Sequence, residues 1–130
     1  MAQTQRVEIG QVDHDERMER AALSFASELS PGPYTINAEF TGILNDQLHG
    51  FYRSTFTDDD GVEHTIATTQ FESTHARRAF PCFDEPAFKA SYGVTLVVPG
   101  DQFAVSNAPI MSELELGDGR KQIQFEDTMV

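Results

Sequence analysis

The sequence predicts an all-β fold, an antiparallel β-sandwich of short strands. Two observations carry that expectation: apolar and polar residues alternate with period two along several segments, and strong turn signals separate those segments at regular spacing. A short helical turn near residues 73–80 is the one expected exception.

Val7, Ile9 and Val12 suggest a first strand, and the charged run Asp13-His14-Asp15-Glu16-Arg17 reads as the turn after it. Leu23 and Phe25 mark a second strand. Ser30-Pro31-Gly32-Pro33 then breaks the chain, because proline lacks a donor and glycine frees the backbone. Tyr34, Ile36, Ala38 and Phe40 alternate with polar residues and read as the cleanest half-buried strand. Phe51 to Phe56, the turn Asp58-Asp59-Asp60-Gly61 and Glu63 to Thr69 form an expected hairpin. Ala76, Ala79 and Phe80 share a face at helical spacing, and Pro81 ends that turn. Tyr92 to Val98, Phe103 to Ser106, and a hairpin of Ile110 to Leu116 with Lys121 to Phe125 around Gly117-Asp118-Gly119 complete about eight strands. No repeat or internal boundary is evident, so residues 1–130 read as one domain.

The totals narrow the function. A chain of 130 residues with 39% hydrophobic residues is long enough to bury a core. Nine basic residues against 21 acidic ones give a net charge of −12, which repels nucleic-acid backbones and anionic membrane surfaces. No apolar run approaches membrane-spanning length. Cys82 stands alone, which fits a reducing compartment, and it reads as a small buried hydrophobe rather than a nucleophile.

His14, His49, His64 and His75 show neither the H-E-x-x-H pattern nor a Cys/His cluster, so no self-contained metal site is expected. The adjacent acids Asp84 and Glu85 would point to opposite faces of an extended segment and make no acid/base pair. Arg77 and Arg78 lie just before them, across a proline-bounded bend, and charge-assisted hydrogen bonds among the four would staple that loop. Phe71, Phe80, Phe83 and Phe88 read as core packing. Gln70 and Glu72 end a strand two positions apart, so both side chains can reach one cleft.

Thr69-Gln70-Phe71-Glu72, followed after Ser73-Thr74-His75 by Ala76-Arg77-Arg78-Ala79-Phe80-Pro81-Cys82-Phe83-Asp84-Glu85-Pro86, resembles a signature in the N-terminal domain of the M1 family of zinc aminopeptidases. Phe40-Thr41-Gly42, Leu44-Asn45-Asp46 and Gly50-Phe51-Tyr52-Arg53-Ser54 are similar to the segment that precedes it in the family. The likeness runs from Pro31 to the C-terminus and is nearest the cytosolic puromycin-sensitive and yeast-like branch, which makes the cytoplasm the expected location. His75 departs from the family's usual Asp and Ser73 from its usual Pro.

The resemblance implies a saddle-shaped β domain lying against a thermolysin-like catalytic domain of the same protein. It implies that Gln70 lines the pocket for the substrate's first side chain and that Glu72 binds the α-amino group of a peptide N-terminus. Zinc would belong to the catalytic domain of the parent enzyme, whose motifs do not occur in this sequence. The chain is therefore expected to be a partial domain, a fragment without a cofactor of its own and inactive alone. A non-catalytic β-sandwich module for protein interaction is the alternative, because a fold does not dictate its use.

Overall fold

The computed structural model describes residues 7–130. The chain divides into two compact units, residues 1–85 and 86–130. Both are built from antiparallel strands, and the seven strands among the described residues agree with the all-β expectation.

The first unit holds two hairpins. β1 (Gln11–Asp15) pairs with β2 (Arg20–Ser24), Val12 facing Leu23. The turn lies at residues 16–19, where the Asp15 carboxylate accepts a hydrogen bond from the Met18 amide at 3.0 Å. The charged run expected to be a turn thus begins inside a strand, and the apolar pair Val7 and Ile9 stays outside it. Cross-strand pairing, rather than the polarity of Asp13 to Asp15, sets the boundary.

β3 (Gly50–Thr57) and β4 (Glu63–Gln70) form the longer hairpin, in continuous register from Gly50 opposite Gln70 to Thr57 opposite Glu63. Asp58 organises its tip. Its carboxylate accepts from the amides of Asp60 and Val62 at 3.0 and 2.8 Å, and its Oδ2 lies 2.6 Å from the His64 ring. Gly61 supplies a φ of +81° that a side chain would resist. The His64 ring also stacks on Phe56, its register partner, at 5.1 Å.

Tyr34 to Phe40 corrects the sequence reading. The alternation is present, but no described strand lies alongside to complete its hydrogen bonds, and Tyr34, Ile36 and Phe40 are exposed. Alternation prepares a strand, whereas a ladder partner makes one. After this segment Asn45 forms a single parallel bridge to Tyr52, and its carbonyl accepts from the Arg53 amide at 2.7 Å.

The second unit is a three-stranded sheet in the order β5-β7-β6, with β5 (Thr95–Pro99), β6 (Ile110–Glu115) and β7 (Arg120–Phe125). The central strand carries the core: Ile123 is 1% exposed and Phe125 2%. Being two apart they share a face, and Ala104, Val94, Leu96 and Val98 pack with them. Ala104 lies in the segment from Phe103 to Ser106, which is irregular rather than the expected strand. Gly117 and Gly119, at φ of +77° and +82°, close the last hairpin.

Candidate functional site

Gln70 is the last residue of β4, and its register partner is Gly50 at the start of β3. Beyond Gln70 the chain leaves the sheet. Phe71 is half-buried and meets Phe80 edge-to-face, with ring centres 5.8 Å apart. Glu72 opens a turn through residue 75, with a cis peptide between Glu72 and Ser73 and a 2.8 Å hydrogen bond from the His75 amide to the Phe71 carbonyl. Exposure therefore alternates across the three residues: Gln70 is exposed, Phe71 half-buried, Glu72 exposed.

The turn continues into a single 3-10 turn, Ala76–Arg78, with Ala79 and Phe80 amides bonding back to the Ala76 carbonyl at 2.9 and 3.1 Å. The expected helical turn is thus present but shorter. Its N-terminus has no side-chain cap from His75. The Asp84 carboxylate takes that part from downstream, accepting from the Arg77 amide at 3.1 Å and from Arg77 Nε at 2.8 Å.

The four loop residues do not act as one group. Arg77 joins Asp84 and also lies 3.6 Å from Glu19. Arg78 turns to Glu19 at 3.3 Å, tying the β1–β2 turn to the 3-10 turn. Glu85 adds its charge near Arg77 and Cys82. Burial of the Asp84 carboxyl disfavours its charge, yet the Arg77 hydrogen bonds and guanidinium outweigh this and hold its pKa below the usual range. The hydrogen bond to Asp84 likewise raises Arg77 above its ordinary value. At Cys82, burial pushes the thiol up, with the Asp84 charge adding to it, so a reactive thiolate is disfavoured.

Two participants had no structural role assigned from the sequence: Glu19, which pairs with both arginines, and Gly50. Gly50 has φ +73°, and a Cβ there would lie 2.7 Å from Arg78 Cβ. The absence of a side chain lets the start of β3 lie directly against the 3-10 turn, beside Gln70. The φ > 0 requirement is the signal, and an isolated glycine before an aromatic strand carries it weakly. The phenylalanines correct the core expectation: Phe71 and Phe80 pack together, but Phe83 is 79% exposed and Phe88 63%. A phenylalanine needs an opposing apolar surface to be buried, and at these two positions most of the residue stays exposed.

Among the described residues no group of three or more His, Cys, Asp or Glu side chains is arranged to hold a metal ion. The donor set here does not fit a catalytic zinc. No described helix is long and apolar enough to cross a membrane. Gln70 and Glu72 place an amide and a carboxyl group at exposed positions, one at the end of β4 and one in the turn after it.

The chain is similar to aminopeptidases. A puromycin-sensitive aminopeptidase of Caenorhabditis elegans is 41% identical over 116 residues, covering 88% of this chain and 12% of the relative. Aminopeptidase M1-D of Oryza sativa subsp. japonica is 44% identical over 115 residues, 88% of this chain and 13% of the relative. Endoplasmic reticulum aminopeptidase 1 of Homo sapiens is 40% identical over 120 residues, 92% and 13% respectively. The chain thus spans about an eighth of the length of these relatives. The family profile described as the Peptidase M1 N-terminal domain matches residues 2–130, and the chain belongs to this M1 family through that domain.

Proposed function

We propose that this chain is the substrate-N-terminus recognition part of a zinc aminopeptidase, with Glu72 receiving the free α-ammonium of a peptide and Gln70 lining the space for its first side chain. The supporting observation is the exposed, half-buried, exposed order of Gln70, Phe71 and Glu72 in a segment matched by the family profile. The Phe71–Phe80 contact anchors the middle residue, and the Arg77–Asp84 pair braces the turn that follows. Glu72 is exposed, so its carboxyl group is accessible to a ligand.

In this reading a catalytic domain of the longer protein would hold the zinc and supply the chemistry of peptide hydrolysis, and this chain alone is inactive. The residues here position the substrate. A charged hydrogen bond contributes about 1.5–3 kcal/mol, so losing one lowers kcat/KM roughly 10- to 150-fold. A blocked N-terminus cannot form it, which restricts cleavage to the first residue. Cytoplasmic location belongs to the same proposal and rests on the likeness to the puromycin-sensitive branch.

The experiment is Glu72→Ala in the full-length protein that carries this segment, assayed on an aminoacyl-nitroanilide. A loss of kcat/KM in that range with an unchanged melting temperature is expected. Unaltered kinetics would remove Glu72 from the role.

A further inference from the structure

Two histidines far apart in sequence become neighbours in the first unit. His49 precedes β3, and His75 precedes the 3-10 turn. Their ring centres are 4.7 Å apart and their planes nearly perpendicular, at 87°. The Nδ1 atom of each ring is buried and has no hydrogen-bond partner. A buried polar atom without a partner costs about 1–3 kcal/mol, and such exceptions in a native fold call for a specific reason. Here two occur together, on adjacent rings, on the same kind of atom.

We propose that His49 and His75 bind a divalent transition-metal ion of the borderline class, such as Zn²⁺, Ni²⁺ or Cu²⁺, through their Nδ1 atoms. Neutral imidazole with its proton on Nε2 presents a lone pair at Nδ1, the form that ligates. A metal–nitrogen bond is about 2.0–2.1 Å, which puts each ring centre about 3.2 Å from the ion; two rings at right-angle to tetrahedral separation then have centres about 4.5–5.2 Å apart. The observed spacing lies within that interval. One ion would satisfy both orphaned atoms at once. No described group of three candidate ligands occurs here, so water completes the coordination and affinity is moderate. Imidazole selects this class over calcium and magnesium, which take oxygen ligands.

The ion would join the loop before Gly50 to the turn after Glu72, the two segments that flank the end of β4. This assignment stands on the histidine geometry and is independent of any role for Glu72.

The test is calorimetric titration of the full chain with zinc chloride, alongside imidazole ¹⁵N NMR of the unsubstituted protein. Saturable 1:1 binding is expected, with the Nδ1 resonances of His49 and His75 moving and those of His14 and His64 unchanged. His49→Gln and His75→Gln should each weaken binding more than about tenfold, since losing even an outer partner of a metal ligand costs 10- to 100-fold. His64→Gln and a calcium titration should leave zinc binding intact and show no calcium heat. Absence of saturable binding overturns the proposal, as does binding abolished by His64→Gln, which would move the ion to the Asp58–His64 pair. Should either glutamine variant fail to fold, the NMR of the unsubstituted chain decides by which rings respond.

Discussion

Asp84 shows how one side chain can hold a loop. Its carboxylate accepts from both the backbone and the side chain of Arg77, so it caps the 3-10 turn and pairs a cation together. Its pKa in the folded protein lies below the ordinary value despite burial. A group depressed in this way stabilises the fold fully above its unfolded pKa, about 3.9 for Asp. That contribution is lost as pH falls through the lower folded value. Asp84→Asn is therefore expected to lower the urea midpoint at pH 7 and to flatten its fall below about pH 4. Parallel urea titrations from pH 7 to pH 2.5 check this; identical pH profiles for the two proteins would remove Asp84 from the account. Gln70, Glu72 and the two arginines were legible as residue types at fixed spacing. Glu19 was not, because a contact 59 positions away in sequence leaves no local pattern.

At the scale of elements, the β3–β4 hairpin was readable almost residue by residue. Its tip is local chemistry: an aspartate that bonds the next turn and a glycine at positive φ. The same alternation at Tyr34 to Phe40 yielded no strand, since strand formation needs a partner and the partner is not a local property. The junction between the hairpin and the 3-10 turn depends on Gly50. Alanine there would combine a left-handed backbone with a Cβ against Arg78. Left-handed non-glycine residues cost about 1–3 kcal/mol, and the clash adds to that. Gly50→Ala is expected to destabilise the protein by at least that much, measured by chemical denaturation. Gly42→Ala, where a Cβ meets open space, serves as the control. Equal effects of the two substitutions would refute the close-approach argument.

At the scale of the whole chain, three buried hydrophobic residues form the core among the described residues, all in the second unit. That is smaller than the chain length allows. Ile123→Ala should therefore cost about 2–5 kcal/mol, a large share of an ordinary domain's 5–15 kcal/mol. Exposed phenylalanines and the open edge of β4 add surface that favours association, against which a net charge of −12 works. Marginal stability and concentration-dependent association are expected for the chain alone. Sedimentation velocity and urea unfolding at several concentrations test this, and a sharp, reversible, monomeric transition would count against it.

The sequence by itself determined the strand-and-turn grammar, the acidic surface and the signature from Thr69 to Pro86, because periodicity, turn chemistry and charge are properties of neighbouring residues. Tertiary structure alone decided that Arg78 reaches Glu19, that Gly50 carries the turn against Gln70 and that His49 meets His75. Each of these is a long-range contact created by cross-strand register and chain reversal. Their distances follow from which strands pair, and local periodicity does not specify the pairing.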